Sequence, residues 1–295
     1  MVMLIQQLTN GLTLGSLYAL VAIGYTMVYG ILRLINFAHG DIFMMAMYFA
    51  FFGITVFHVP WYIAFMLVIA ATALLGMLIE RTAYKPLRDA PRISLLISSI
   101  GVSYLLQNLA TVLFSGVAKQ FPSVPLFQDT LIIGNVYLQN LSIFTPVITL
   151  VLVVGLLFLV NKTKAGMAMR AVSKDLETAM LMGIDINKTI AITFCIGSAL
   201  AAVGAVMWGL KYPKIEPYVG AMPGLKCFIA AVIGGIGNIK GAVFGGIILG
   251  FMEILIPFFL PQLSGYKDAF AFIALIVILL AKPTGLIGEK IADKV

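Results

Sequence analysis

The sequence predicts an all-α, polytopic membrane protein with eight to ten transmembrane helices in a single domain, residues 1–295. Three observations lead to this fold class. The chain is 61% hydrophobic and has a mean hydropathy of +1.07. Only 11% of its residues are charged, whereas soluble domains carry about 25%. The apolar residues also form long runs, and a membrane span needs about 20 such residues.

The apolar runs give the predicted spans in chain order. Small residues at close spacing in the first and sixth runs favour close helix packing in lipid. Run 218–237 contains Pro223, Gly224 and a glycine-rich end, so it either crosses the membrane or forms a broken or re-entrant helix. If every run crosses, the N-terminus lies outside and the C-terminus inside. The runs are 12–29, 42–57, 61–79, 93–114, 141–160, 190–210, 218–237, 243–260 and 267–281.

Two basic loops predict the orientation of the spans. Loops 80–92 and 161–190 are rich in Lys and Arg, and two spans separate them, so they lie on the same side. The positive-inside rule places that side in the cytoplasm, and it places the weakly basic loop 115–140 outside. The net charge of +7 therefore reflects membrane orientation, and nothing in the sequence indicates nucleic-acid binding.

Segment 161–190 is the longest polar segment between two apolar runs, and we predict that it docks a soluble motor subunit. Residues 164–182 are expected to form one amphipathic helix, because apolar residues recur there at helical spacings between charges. The alternative is an ordinary solvated loop. The apolar positions are Met167, Ala171, Leu176, Met180 and Gly183, and the residues expected to carry coupling are Arg170, Lys174, Asp175, Glu177 and Gly183.

Polar residues near or inside the spans are candidates for the solute pathway. Asn36, His39 and Asp41 either line or gate the pathway, or they cap a helix that begins near Asp41 at the membrane interface, which is the interpretation we favour. Gln107 and Asn108 lie within a span, where amides either hydrogen-bond to a neighbouring helix or contact the solute.

Two further features of the late spans allow more than one interpretation. Gly234, Gly235 and Gly237 either offer unwound backbone to a zwitterionic ligand or permit close helix packing. Glu253 lies deep in an apolar run. It acts in a proton relay, or it is neutral, or it is paired at an interface.

Several chemistries find no support in the sequence. The P-loop pattern, HExxH, GxSxG and paired carboxylates are not found, so we expect neither ATP binding nor enzymatic activity in this chain. The two histidines, His39 and His58, do not suggest a metal site, and the two cysteines, Cys195 and Cys227, are expected to be small buried hydrophobes. No cofactor is expected, and the energy for any transport must come from a partner or an ion gradient.

The sequence also contains a weak internal repeat. Residues 16–20 begin a span rich in small residues that is followed by a polar break and another apolar run, and residues 198–202 do the same. The two copies are five spans apart, an odd number, so they would lie inverted in the membrane. Inverted repeats are common in transporters, whose substrate path runs between the halves.

Three stretches resemble the branched-chain amino acid permeases of ABC importers, of the LivH type. They are GYTMVYGILRLINFAHGDIFMMAMY at 24–48, AAVIGGIGNIKGAVFGGIILG at 230–250 and KPTGLIG at 282–288. The resemblance covers nearly the whole chain, and the NFAHG and GGIG motifs are shared with close relatives such as urea-type permeases.

The resemblance implies a multi-pass subunit of a type II-like ABC importer in the bacterial inner membrane. Its partners would be the lipid bilayer, a second related permease, two cytoplasmic ATPase subunits and a periplasmic binding protein. Its substrates would be leucine, isoleucine and valine or other small amino acids, and 164–185 would be the ATPase-coupling segment. A urea or amide ABC permease is one alternative. An ion-driven secondary transporter is another, but it needs buried ionisable residues, and Glu253 and Asp41 are the candidates.

Overall fold

A computed structural model describes residues 2–133 and 136–288. Met1, positions 134 and 135 in the predicted outer loop, and the tail 289–295 that carries the C-terminus lie outside the described residues. The α-helices are α1 Val2–Leu32, α2 His39–Phe51, α3 Trp61–Ile79, α4 Arg92–Phe114, α5 Pro125–Gln128, α6 Asn140–Lys162, α7 Lys164–Lys174, α8 Leu176–Leu181, α9 Ile186–Lys211, α10 Ala221–Gly234, α11 Ile239–Phe259 and α12 Lys267–Ala281.

Eight helical segments of the described chain are long and apolar enough to cross a membrane, which confirms the prediction of eight to ten spans. Short π-helical turns extend α2 and α3, and 3₁₀ turns precede α4 and α12. The π-helical turns are Phe52–Val56 and Glu80–Tyr84, and the 3₁₀ turns are Lys85–Leu87 and Pro261–Tyr266.

Two small antiparallel strand pairs lie in the connections. Strand β1 Lys119–Gln120 follows α4 and pairs with β4 Lys214–Ile215, which follows α9. The second pair is a hairpin of β2 Thr130–Ile133 and β3 Val136–Gln139. The β1–β4 pairing ties together two loops that the charge pattern places on the outer side.

Helix α1 is at the centre of the bundle, and its closest neighbour is α11. Backbone contacts between the two helices depend on glycine. A Cβ atom on Gly250 would lie 2.3 Å from the Cα of Gly15, and one on Gly246 would lie 2.7 Å from the Cα of Ala19. Glycine therefore allows the two helices to approach at van der Waals distance, which is how helices associate when lipid provides no hydrophobic driving force.

A second glycine-lined face of α11 packs against α10. A Cβ atom on Gly245 would lie 1.9 Å from the carbonyl oxygen of Ala230, and one on Gly241 would lie 2.4 Å from that of Gly234. Helix α10 has only 14 residues, which gives a length of about 21 Å. The hydrocarbon layer is about 30 Å thick, so α10 alone is too short to cross it. Run 218–237 consists of a non-helical approach followed by this short helix, in line with the broken-helix alternative.

Helix α2 also begins inside the bundle. Residues 33–38, between α1 and α2, are non-helical, and Arg33 adopts a left-handed conformation with φ of 54°. The start of α2 meets the start of α10, because a Cβ atom on Gly220 would lie 1.9 Å from the carbonyl oxygen of Gly40. Two short helices therefore begin beside each other in the interior, where irregular backbone is shielded from lipid.

The contacts of α2 and α3 have counterparts in those of α10 and α11, if α1 is matched with α9. Helix α3 packs on α9 through Gly76 and Ser198, and α11 packs on α1 through Gly246 and Ala19. In the same way α2 packs on α9 while α10 packs on α1.

We predict that Gly250→Leu severely destabilises the protein. Overpacking a tight site costs about 1–3 kcal/mol or more, and here the new side chain meets backbone that cannot move aside. Thermal unfolding in detergent, followed by size-exclusion chromatography, measures the effect. Gly155→Leu in α6 is the matched control, because a Cβ atom there meets nothing within 4 Å. Equal stability of the two variants would contradict the glycine-packing interpretation.

Candidate functional site

The polar segment between α6 and α9 forms two short helices rather than the single predicted helix 164–182. Asp175 separates α7 from α8 in an extended conformation, and its carboxylate accepts a hydrogen bond from the backbone N–H of Thr178 at 3.1 Å. Thr163 caps α7 in the same way, through the N–H of Gly166. The predicted helix is divided because a side-chain cap at Asp175 competes with helix continuation. We call residues 161–185, the part of the predicted segment 161–190 that precedes α9, the docking segment, after the role predicted for it.

Helix α7 anchors the docking segment to the membrane helices. Gly166, Met169 and Val172 form its buried face, and α7 packs against α1, α6 and α9. Gly166 lies directly on the last carbonyl groups of α6, where a Cβ atom would be 2.3 Å from the oxygen of Leu159. Helix α7 is therefore packed tightly against the end of α6.

Helix α8 presents an apolar tip to the surroundings. Leu181 is 87% exposed and Met182 is 78% exposed, and the side chains of Leu176 and Met180 are also exposed. The sequence placed Leu176 and Met180 on an apolar face, and that face points outward. Contiguous exposed apolar residues on a polar segment mark an interaction surface. Gly183, with φ of 80°, turns the chain away from α8.

The charged residues predicted for coupling shape the docking segment. Arg170 donates from Nη1 to the backbone oxygen and the Oδ1 of Asn161, at 3.2 and 3.1 Å, and so closes the junction of α6 and α7. Lys174 lies in the last turn of α7, and Glu177 lies in the first turn of α8. Both positions complement the helix dipoles.

Two arginines join the polar segment 161–190 to other connections of the bundle. Arg33, in the break after α1, donates from Nη2 to the carbonyl oxygen of Ser173 at 3.4 Å. Arg88, in the loop before α4, donates from Nη1 to Oδ1 of Asn187 at 2.6 Å. The two basic loops thus lie at one end of the bundle, as the charge pattern predicted.

Three polar residues in the break or in the first turn of α2 lie in the interior of the bundle. Asn36 and His39 are 1% exposed, and Asp41 is 2% exposed. Helix α2 begins at His39, after Ala38, without a side-chain cap. The favoured expectation that these residues cap a helix at the membrane interface is wrong for His39 and Asp41, which lie within α2 and are buried in the bundle. Asn36 does accept a hydrogen bond from the backbone N–H of Ala38 at 3.1 Å, in the turn that leads into α2.

Each of these buried polar groups has a neighbour on another element. Asn36 accepts a hydrogen bond from the hydroxyl of Tyr84 at 2.6 Å. The ring of His39 meets that of Tyr25 edge to face, with centroids 4.6 Å apart. Asp41 accepts a hydrogen bond from Nε2 of Gln107 at 3.0 Å, which joins α2 to α4.

Gln107 and Asn108 are adjacent in sequence but differ in environment. Gln107 is buried and bonds to another helix, whereas Asn108 is exposed and donates from Nδ2 to the carbonyl oxygen of Tyr104 in its own helix, at 2.7 Å. Successive helical residues point about 100° apart, so only Gln107 faces the bundle.

The glycine-rich turn after α10 is closed by backbone contacts. The carbonyl groups of Ile233 and Gly234 accept hydrogen bonds from the N–H groups of Leu286 and Ile287, both at 2.9 Å. Gly235 and Gly237 have positive φ values of 114° and 93°, which favour glycine. This geometry agrees with the close-packing interpretation of Gly234, Gly235 and Gly237.

Glu253 belongs to a charge cluster that sequence reasoning missed. Its Oε1 lies 2.8 Å from Nζ of Lys226 and 3.3 Å from Nζ of Lys267, and Nζ of Lys226 lies 2.7 Å from Oδ1 of Asp268. Tyr18 donates its hydroxyl to Oε2 of Glu253. The cluster joins α1, α10, α11 and α12. The position of Lys226 within an apolar run could have indicated this cluster from the sequence, because an intramembrane cation needs a partner.

Aromatic side chains fill the neighbouring end of the bundle. The ring of Trp208 lies 5.9 Å from that of Tyr18, 6.0 Å from that of Phe43 and 4.8 Å from that of Tyr212, between centroids. Together with the β1–β4 pairing, these contacts close the end of the bundle opposite the docking segment.

The chain was compared with known proteins. Residues 7–279 match the model of the family described as the permease component of the branched-chain amino acid transport system. The chain belongs to this family. The match spans every long helix of the bundle, so the docking segment, the buried polar break and the charge cluster are all parts of one permease.

Curated relatives cover the permease almost completely. BraD of Pseudomonas aeruginosa, a high-affinity branched-chain amino acid transport system permease protein, is 44% identical, with 99% of this chain and 98% of the relative aligned. LivH of Escherichia coli K12 is 41% identical over 99% of this chain and 97% of its own length. A probable LivH of Methanocaldococcus jannaschii is 28% identical over 95% of this chain and 91% of the relative. No solved structure matches the chain.

We predict that Glu253→Gln lowers stability by about 1–3 kcal/mol, because it removes one of the two carboxylates that pair with Lys226, and Lys226 keeps Asp268 as a partner. Thermal unfolding in detergent checks the value. Glu216→Gln is the control, since the Lys214–Glu216 pair is exposed and such pairs contribute little. If the two substitutions have equal effects, the charge cluster does not stabilise the helix contacts.

Proposed function

We propose that this permease is one membrane half of an ABC importer that moves branched-chain amino acids across the bacterial inner membrane. The observation that carries the proposal is the exposed apolar tip of α8 on a segment anchored to the membrane helices. Family membership supports the same function, and full-length relatives are named as branched-chain amino acid permeases. Relatives named for xylose cover less than half of the chain, the longer match spanning 47% of it.

The docking segment is the proposed seat of a cytoplasmic ATPase subunit. Burying one large apolar side chain stabilises a complex by about 1.5–3 kcal/mol, so Leu176, Met180, Leu181 and Met182 together are enough to anchor α8 in a groove. The lack of a P-loop agrees with ATP hydrolysis in partner subunits. Closure of the ATPase pair then pushes on α7 and the ends of α6 and α9.

The proposed mechanism is alternating access between two inverted halves, α1–α4 and α9–α12. The counterpart contacts of α3 with α9 and of α11 with α1 support this division. Polar contacts repeat as well, since Asp41–Gln107 joins α2 to α4 while Lys226–Asp268 joins α10 to α12. Relative rocking of such halves exposes a central path to one side at a time.

The proposed assembly has four kinds of subunit besides lipid. A second, related permease completes the pore, two ATPase subunits bind the docking segments, and a periplasmic binding protein delivers the amino acid and provides most of the selectivity. Of the candidate path residues, we retain Asn36, His39, Asp41 and Gln107. Asn108 faces away from the bundle, and Gly234, Gly235 and Gly237 lie in a turn closed by backbone contacts. The interior position of the break between α1 and α2 supports the four retained residues, since irregular backbone at depth is typical of transporter sites.

A pull-down and an uptake assay test the proposal. The tagged chain, purified in mild detergent from its native membrane, is expected to retain a second permease and ATPase subunits, identified by mass spectrometry. Cells lacking the chain are expected to lose uptake of labelled leucine, isoleucine or valine but not of urea or xylose. Recovery of the chain alone in several detergents, or loss of urea uptake instead, would overturn the proposed function.

Three substitutions at or beside the apolar tip are predicted to abolish ATPase retention and uptake. Leu181→Asp removes apolar contact at an 87% exposed position, so the isolated permease remains folded in the membrane. Glu177→Trp and Gly183→Val are expected to have the same effect, the latter because a branched residue at φ of 80° costs about 1–2 kcal/mol and redirects the turn.

The control for these variants is Lys162→Trp, a bulky change at an exposed position of the same segment outside the tip. It is expected to leave uptake within about twofold of wild type, as exposed surface changes usually do. Normal uptake by the Leu181, Glu177 and Gly183 variants would refute docking at α8.

Glu253→Gln separates ATP-driven from ion-driven transport. If ATP supplies the energy, the variant retains uptake when assembled, because no proton needs to pass through Glu253. Uptake is measured in proteoliposomes with ATP and with the proton gradient collapsed. Loss of uptake in an intact assembly would favour a proton relay through Glu253 and a secondary transporter.

A further inference from the structure

Arg88 forms a fork between two membrane helices at the docking end of the bundle. Its Nη2 donates to Oε1 of Glu80 at 2.5 Å, and its Nη1 donates to Oδ1 of Asn187 at 2.6 Å. Glu80 follows the last residue of α3, and Asn187 lies in the first turn of α9. One guanidinium group therefore joins the end of α3 to the beginning of α9.

The Asn187 arm of the fork is attached directly to the docking segment. Gly183 turns the chain near the end of that segment, and Asp185, its last residue, caps α9 by accepting a hydrogen bond from the N–H of Lys188 at 3.0 Å. Asn187 is thus two residues beyond the segment, in the first turn of a capped helix. A rotation of the segment about this turn would carry the side chain of Asn187 with it.

The Glu80 arm leads into the interior of the bundle. Glu80 is 3% exposed and begins the π-helical turn Glu80–Tyr84. The hydroxyl of Tyr84, at the other end of that turn, donates to Asn36 in the break between α1 and α2. A continuous set of contacts therefore runs from Asn187 through Arg88 and the π-helical turn to the buried break.

We propose that Arg88 is a positioning residue that transmits movement of the docking segment to α3 and to the break before α2. The inference rests on the proposed function, because it assumes that an ATPase moves the docking segment. It adds a specific route to that function. The planar guanidinium is hydrogen-bonded to Asn187 on one side and to Glu80 on the other, so a displacement of Asn187 is passed to Glu80. Lysine cannot replace it, because a single ammonium group lacks the two-armed geometry.

The test uses the complete transporter in proteoliposomes with the binding protein. The measured quantity is the number of amino acid molecules transported per ATP hydrolysed. Asn187→Ala removes one arm and leaves the Arg88–Glu80 pair intact, and Arg88→Lys keeps the charge beside Glu80 but loses the fork. Each is expected to lower the ratio by about threefold or more, within the range of measured coupling effects, while assembly and the rate of ATP hydrolysis stay unchanged.

Two further variants separate coupling from simple stabilisation. Asn187→Asp keeps an oxygen acceptor for Arg88 and is expected to restore the ratio. The double variant Arg88→Lys with Asn187→Ala is expected to be no worse than Arg88→Lys alone, because both changes cut the same arm.

The matched control is Asn140→Ala. It removes another exposed asparagine contact at the start of a membrane helix, the one that Nδ2 of Asn140 donates to the carbonyl oxygen of Leu126 at 3.0 Å, in the loop predicted to lie outside and away from the docking segment. Its ratio is expected to equal that of wild type. A normal ratio in the Asn187→Ala transporter, or additive losses in the double variant, would overturn the inference alone. Failure of the wild-type chain to retain ATPase subunits would overturn the proposed function as well.

Discussion

The close approach of α1 to α11 is the contact on which the other features depend. Lipid provides no hydrophobic force between helices, so their association relies on packing. Glycines on two faces of α11 let it contact α1 through Gly246 and Gly250, and α10 through Gly241 and Gly245. With α1 surrounded in this way, the bundle has an interior that shields irregular backbone and polar side chains from lipid.

That interior explains why two short helices are tolerated. Helices α2 and α10 begin beside each other at Gly40 and Gly220, away from lipid. Some polar groups of this region are paired, as in the contact of Asp41 with Gln107, whereas Nδ2 of Asn36 and Nε2 of His39 are buried without a hydrogen-bond partner among the described residues. Ion pairs lie to either side of it, with Glu253 in one cluster and Glu80 with Arg88 in another. The bundle is therefore held by apolar packing in the middle and by ion pairs towards its ends.

The docking segment gives the bundle a means of responding to a soluble partner. Helix α7 is fixed to the membrane helices by its buried face, while the tip of α8 is exposed. In the proposed mechanism, movement of the tip reaches α9 through Gly183, and it reaches α3 through the contact of Asn187 with Arg88. Such a connection is what a permease needs if ATP is hydrolysed in a partner subunit, as proposed.

The sequence by itself determined the fold class, a range of eight to ten spans that includes the eight found, the shared side of the two basic loops and the place of the polar segment between α6 and α9, because these depend on local hydropathy, charge and turn residues. Only the tertiary structure decided that the docking helix divides at Asp175, that Asp41 is buried against Gln107 rather than at an interface, and that Lys226 partners Glu253. Each of these depends on which residues distant in sequence become neighbours. Such neighbours are fixed by how closely the helices pack, and hydropathy does not encode that distance.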